Sequence, residues 1–182
     1  MSLKICLAAS GGGHFRQLLD LDPAFTDQTC FYITEPTALG VSFKTSRPVF
    51  FVPHVALGQA RLGSPLAMIS AAFRNARQSF DIIRRQRPDI VLSTGAGSMA
   101  FAMLWGRLFG AEIILIDSFA RFLAPSAFAK IVSPIAHHRI AQSVGAAAGR
   151  ADVHVFDPFR TLDQPRPEKR DFLFQRDAMP WV

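Results

Sequence analysis

Apolar residues fall along this chain in short runs that alternate with longer stretches of helical periodicity. Leu3 to Ala9 (LKICLAA) is apolar except for Lys4 and holds no Gly or Pro, enough for one buried strand. Ser10-Gly11-Gly12-Gly13 follows, a stretch that neither a strand nor a helix interior favours. Phe15, Leu18, Leu19 and Leu21 then recur at roughly helical spacing. The chain therefore opens strand, glycine turn, helix. Gln28 to Thr34 (QTCFYIT) reads as a second strand, rich in β-branched and aromatic residues. Val49 to Val52 reads as a short third strand stopped by Pro53, with Glu35 to Pro48 and Val55 to Ser64 as loops. Pro65 suits a helix's first turn, and a helix is predicted from about Leu66 to Arg87. Met68, Ile69, Ala72, Phe73, Ala76, Phe80 and Ile83 form its expected apolar face, and Pro88 stops it.

Asp89 to Ser93 (DIVLS) is the next strand, and Thr94-Gly95-Ala96-Gly97-Ser98 is a second glycine turn. Ser98 is expected to cap a helix over Met99 to Phe109, which Gly110 ends. Ala111 to Ile116 (AEIILI) is another strand, followed by Asp117-Ser118-Phe119-Ala120-Arg121. A weaker helix over Pro125 to Ala136, interrupted at Pro134, precedes short strands at His137 to Gln142 and Val153 to Phe156. Alternating strands and helices joined by short turns predict an α/β protein with a doubly wound parallel sheet. The two glycine turns and the Asp-Ser turn then gather along one sheet edge, the carboxyl edge where such folds bind ligands. Composition shifts after Ser143: Gly145 to Gly149 is small and flexible, and Thr161 to Arg170 (TLDQPRPEKR) reads as a linker. The expected organisation is one domain over 1–143, then a linker and short tail over 144–182. There is no internal repeat.

Charge and composition narrow the partner. The 182 residues suit a single domain with a proper core. They are 49% apolar and only 19% charged, yet carry a net charge of +6. A basic, apolar-rich chain points to an anionic partner: nucleic acid, a phosphorylated substrate or an anionic membrane surface. No RNA motif or interleaving of aromatic and basic residues appears, so no nucleic acid is expected. Arg74, Arg77, Arg84, Arg85 and Arg87 lie on or just after the long helix, near Phe73 and Phe80. They form either a solvated basic face or a contact with anionic lipid. No uninterrupted apolar run approaches the ~18 residues a membrane span needs, and the N-terminus reads as a strand rather than a signal peptide. Cys6 and Cys30 both fall in predicted strands and are expected to be buried thiols. No zinc-ligand spacing appears, and adjacent His137 and His138 make a poor metal pair, so neither metal nor cofactor is expected.

The chemistry centres on the turns. Gly11, Gly12 and Gly13 would let a phosphate approach the backbone at a helix N-terminus, whose free N–H groups and dipole attract negative charge. The turn is neither a Walker loop nor a full GxGxxG, since Arg16 stands where the third Gly would be. His14 is a candidate acid or base because its ordinary pKa lies near neutral pH; the alternative is a helix-start residue bonded only to backbone. Gly95, Gly97 and Ser98 offer a second anion-capable helix start, or simply close packing of helix on strand. Asp117, Ser118 and Arg121 stand just past an apolar strand. Arg121 could fork onto a phosphate, or Asp117 could hold Arg121 in an ion pair. Glu35, at the end of the second strand, is a further polar candidate.

These motifs resemble a known family. Ser10 to His14 (SGGGH) is similar to the loop of MurG-like GT-B glycosyltransferases. Pro88 to Arg121 (PDIVLSTGAGSMAFAMLWGRLFGAEIILIDSFAR) resembles the membrane subunit of the two-part dolichol-linked N-acetylglucosamine transferase of asparagine-linked glycosylation. Its bacterial relatives are acceptor-side subunits of exopolysaccharide and capsule glycosyltransferases. Asp117-Ser118-Phe119-Ala120-Arg121 matches that family's acidic-Ser-Phe-Ala-Arg turn, with Asp where Glu is common, and Ala141-Gln142 looks like its later strand end. The following helix, Ser-rich in the family, has only Ser126 and Ser133. The resemblance covers about residues 3 to 143. It implies the Rossmann-like N-terminal half of a GT-B glycosyltransferase that binds a lipid-linked acceptor. A donor-binding subunit, or a half fused downstream, would bind the nucleotide sugar, which the resemblance implies is a UDP-sugar. The implied setting is the cytoplasmic face of a membrane, held peripherally. The implied site is His14 with Gly11, Gly12, Gly13, Gly95, Gly97, Ser98, Asp117, Ser118 and Arg121, and the implied membrane contact is Arg74, Arg77, Arg84 and Arg85. The alternative is a non-catalytic scaffold that recruits a catalytic donor subunit to the membrane.

Overall fold

The computed structural model describes residues 2–37, 45–55, 65–118 and 120–156. Within them the apolar runs become strands β1 Lys4–Ala9, β2 Thr29–Thr34, β3 Val49–Phe51, β4 Ile90–Gly95, β5 Glu112–Ile116, β6 His138–Ala141 and β7 His154–Val155. The periodic segments become helices α1 Gly13–Leu21, α2 Pro65–Gln86, α3 Ala100–Leu108, α4 Ala127–Val132 and α5 Val144–Ala147. The strands pair in parallel throughout, in the order β3-β2-β1-β4-β5-β6-β7. The chain thus builds outward from β1 to β3, returns, and builds outward the other way from β4. This makes the β1–β4 boundary the switch point of a doubly wound sheet. The expected α/β, Rossmann-like architecture is what forms.

Both sheet faces are covered, which is why the strands read as near-continuous apolar runs. On one face Cys6, Ala8, Phe31, Ile33, Val91, Ile113 and Leu115 pack against Ile83, Met99, Met103, Phe128 and Val132 of the helical layer. On the other, Ile5, Leu7, Ala9, Tyr32 and Leu92 pack against Phe15 and Leu18 of α1. Cys6 and Cys30 are free and buried on opposite faces, as two inert thiols whose pKa values burial pushes up. Trp105 ties α3 to α2 by donating its indole N–H to Ala76 O at 2.8 Å, and its ring meets Phe80 edge-on.

The long helix buries Ile83 and partly buries Met68, Ala72, Ala76 and Phe80 of the face its apolar residues predict, but the buried stripe is turned toward Asn75 and Ser79. Ile69 and Phe73 are 64% and 70% exposed, as is Leu66 at 77%, while Asn75 and Ser79 are fully buried beside Ile83. The polar pair can go inside because each has a partner: Asn75 donates to Pro53 O at 2.7 Å and Ser79 donates to Asn75 Oδ1 at 3.0 Å. Arg74, Arg77, Arg84 and Arg85 are exposed. No helix among the described residues is long and apolar enough to cross a membrane.

The sheet runs past Ser143. Ser143 caps α5 through Ala146 N at 3.0 Å, and β7 pairs with β6. Ser126 caps α4 through Ala129 N at 3.0 Å, and Pro134 lies in a 3-10 turn, Ser133–Ile135, that closes it. The predicted linker at 161–170, the tail at 172–182 and most of the loops at 35–48 and 55–64 lie outside the described residues.

Candidate functional site

The site grows from the switch point. As β1 ends, Ser10 donates its N–H to Gly95 O at 2.7 Å and its hydroxyl accepts from Ala96 N at 3.1 Å. The two glycine turns, far apart in sequence, are therefore joined directly, and the Gly95–Ala96 peptide is cis. Gly12 is the N-cap of α1 at φ 78°, ψ −137°, a conformation only Gly adopts without strain. A side chain at Gly11 would meet Thr37 at 2.2 Å. Gly12 and Gly13 are exposed at the N-terminus of α1, the helix end that attracts negative charge.

His14 sits on this junction. Its Nδ1 lies 2.8 Å from Thr94 O, and the Thr94 hydroxyl donates to His14 O, also at 2.8 Å. Gly95 stands against the ring: a Cβ there would lie 3.1 Å from His14 Nδ1 and 3.6 Å from Phe128. The structure thus brings together His14, the first glycine turn and Gly95.

Ser98 has another role than the one expected of it. A 3-10 turn, Gly97–Met99, separates β4 from α3, whose N-cap is Met99 without a side-chain bond. The Ser98 hydroxyl is buried instead; it accepts from Val55 N at 2.7 Å and donates to Glu35 Oε1. It does not cap the helix. Glu35, only 4% exposed, also accepts from Gly11 N at 3.2 Å and from His54 Nδ1 at 2.9 Å. One carboxylate therefore ties together the chain segments that follow β1, β2, β3 and β4.

The Asp117 turn stands one strand further along. Asp117 is buried and accepts from Ser118 N at 2.9 Å and Ser126 N at 3.2 Å, closing the loop that leads into α4. Gln142 donates to Asp117 O at 3.1 Å, so the β5 and β6 ends are bonded too. Ser118 Oγ accepts from Ala120 N at 3.3 Å within the turn. The Asp117–Arg121 ion pair weighed in the sequence does not form, because that carboxylate is engaged by backbone. Arg121 is exposed, with no ion-pair partner among the described residues. Away from the site, His138 pairs with Glu112 at 2.7 Å. His137 accepts from Ile113 N at 2.8 Å, and burial beside Arg107 lowers its pKa. Among the described residues no group of three His, Cys, Asp or Glu could hold a metal ion.

Three participants escaped the sequence reading or stood at its margin: Thr94, His54 and the Glu35 hub. Thr94 lay inside the glycine turn already marked, but its partner is 80 residues away. Only the parallel pairing of β1 with β4 makes them neighbours.

No protein-family model matches the sequence, and no curated protein does. Solved structures do. Acinetobacter baumannii MurG aligns with a TM-score of 0.63 at 15% identity, covering 84% of this chain and 45% of that one. UDP-N-acetylglucosamine 2-epimerase from Rickettsia bellii aligns at 0.60 with 13% identity, covering 85% and 44%. The UDP-GlcNAc 2-epimerase of Methanocaldococcus jannaschii aligns at 0.54 with 9% identity, covering 80% and 41%. The chain spans less than half the length of each. At these identities the likeness is one of fold: this chain is a Rossmann-like α/β unit of GT-B type.

Proposed function

We propose that this chain is the acceptor-side half of a two-part inverting glycosyltransferase. It would pass a sugar from a nucleotide sugar, a UDP-sugar by the resemblance, to a polyprenyl-diphosphate-linked saccharide. The observation that carries this reading is the junction of the first glycine turn, His14 and Gly95 at the switch point of a GT-B-type half. The acceptor hydroxyl must lose a proton as it attacks the anomeric carbon, and His14 is the group at the junction able to take it. The α1 amides beyond Gly12 stabilise diphosphate charge by fixed dipoles, and Arg121 offers a cation at the same sheet edge. By the resemblance, the donor-binding groups belong to the other half of the enzyme, a partner subunit or a half fused downstream.

The test is transfer from UDP-GlcNAc to a polyprenyl-diphosphate acceptor. The purified chain alone is expected to show none, and activity is expected on adding a donor half. Robust transfer by the single chain would falsify the two-part reading. With the assembled enzyme, His14→Gln is expected to lower turnover at least a hundredfold if the ring moves the proton, within the range general catalysis supplies. Unchanged turnover would leave the chain a recruiting scaffold.

The exposed Leu66, Ile69 and Phe73, with Arg74, Arg77, Arg84 and Arg85 further along the same helix, support a peripheral contact with anionic membrane. Each basic residue near such a surface contributes about 1 kcal/mol. Replacing Arg77, Arg84 and Arg85 by Gln should therefore weaken co-sedimentation with phosphatidylserine vesicles roughly a hundredfold. Phe73→Ser should weaken it with little salt dependence. Binding indifferent to both changes and to added salt would count against the contact.

A further inference from the structure

We infer that Thr94 is the positioning residue of His14, holding it so that the lone pair of the neutral ring lies on Nε2. The inference rests on the acid–base reading of His14 for its functional meaning, though not for its geometry. A neutral imidazole has one N–H and one lone pair. A carbonyl oxygen only accepts, so the nitrogen 2.8 Å from Thr94 O, Nδ1, carries the hydrogen. The base is then Nε2, across the ring from Thr94 and without a hydrogen-bond partner among the described residues. The Thr94 hydroxyl adds a bond in the opposite direction, to His14 O at 2.8 Å. Thr94 is 1% exposed, so water does not compete for either bond. Gly95 packs closely against the ring: a Cβ there would stand 3.1 Å from Nδ1. Two antiparallel bonds between the same two residues thus clamp the start of α1 to the end of β4. The carbonyl bond selects which ring nitrogen carries the hydrogen, and the hydroxyl bond holds the His14 backbone where that carbonyl can reach the ring.

The experiment is ¹⁵N NMR of the full chain carrying labelled histidine, about two pH units above the ordinary His pKa. The His14 signals are assigned by their loss in His14→Gln. The wild type is expected to show His14 as the Nδ1–H tautomer. Thr94→Ser, which keeps the hydroxyl, should preserve it; Thr94→Val, which keeps the shape but not the donor, should give a mixture of tautomers. Melting curves on the same samples separate this from general unfolding. An Nε2–H tautomer in the wild type overturns the inference outright, whatever the variants do. So does a Thr94→Val spectrum identical to the wild type. If the tautomer is as expected but His14→Gln leaves turnover intact, the acid–base reading fails and the positioning inference stands.

Discussion

Gly13→Ala is expected to leave the protein at least as stable as the wild type while weakening binding of the polyprenyl-diphosphate-linked acceptor by tenfold or more. Gly13 is the first residue of α1, has ordinary helical backbone, and has open space where a methyl would stand. Ala in a helix is favoured over Gly by roughly 0.5–1 kcal/mol, so folding has nothing to lose. Helical Cβ atoms tilt toward the helix N-terminus, which puts the new methyl in front of the amides that would hold a diphosphate. Gly12, the more obvious position to test from the sequence, is a poorer one. At φ 78° any side chain strains the backbone by about 1–3 kcal/mol, so Gly12→Ala would lose stability and binding together. The pair of variants separates the two effects. Calorimetric titration with a short-chain polyprenyl-diphosphate-linked acceptor, alongside thermal melting of each sample, reads both. Wild-type affinity in Gly13→Ala would place the diphosphate elsewhere along the sheet edge and leave the Arg121 turn as the candidate.

The largest loss of stability is expected at Glu35. Its carboxylate accepts from Gly11 N, His54 Nδ1 and Ser98 Oγ while only 4% exposed. Glu35→Ala strands these donors in a cavity, and each buried donor left unsatisfied costs about 1–3 kcal/mol. Allowing for water to reach His54, whose side chain is 59% exposed, a net loss of about 3 kcal/mol is expected. For a domain of this size that is a fall in melting temperature of roughly 6–12 °C. Glu35→Gln keeps the volume but turns one accepting oxygen into a donor, and should fall between Glu35→Ala and the wild type. A shift under about 2 °C for Glu35→Ala would show that the four loops are held by something other than this carboxylate.

Much of the fold was legible because the central strands of a parallel sheet, buried on both sides, announce themselves as apolar runs. Leu3 to Ala9 and Ala111 to Ile116 needed no tertiary information. The α2 face was misread because periodicity counts apolar residues, whereas burial also admits polar ones that find partners. Asn75 could reach Pro53 O, a bond invisible in the helix's own sequence, and its burial turned Ile69 and Phe73 outward. The site divides along the same line. The glycine turns and His14 were marked by local pattern, and adjacency of β1 and β4 brought them together. Ser98 followed the local rule for a helix cap, but the Glu35 carboxylate, arriving from the end of β2, competed successfully for its hydroxyl. Asp117 likewise found backbone amides nearer than Arg121.

The central place of β1 has a consequence for how the protein is made. β1 precedes the other described strands in the chain, and its β2-side edge is matched early, by Thr29–Thr34. Its other edge waits for β4, whose Thr94 follows His14 by 80 residues. At a synthesis rate of about 5–20 residues per second, that edge stays unmatched for roughly 4 to 16 seconds on the ribosome. Through that interval the nascent chain presents a bare Ile5-Cys6-Leu7-Ala8 edge, the kind of surface on which neighbouring chains pair and aggregate. The residues that assemble the site are thus the same ones that end the chain's most vulnerable period, since the bonds of Ser10 to Gly95 and of His14 to Thr94 close only when β4 docks.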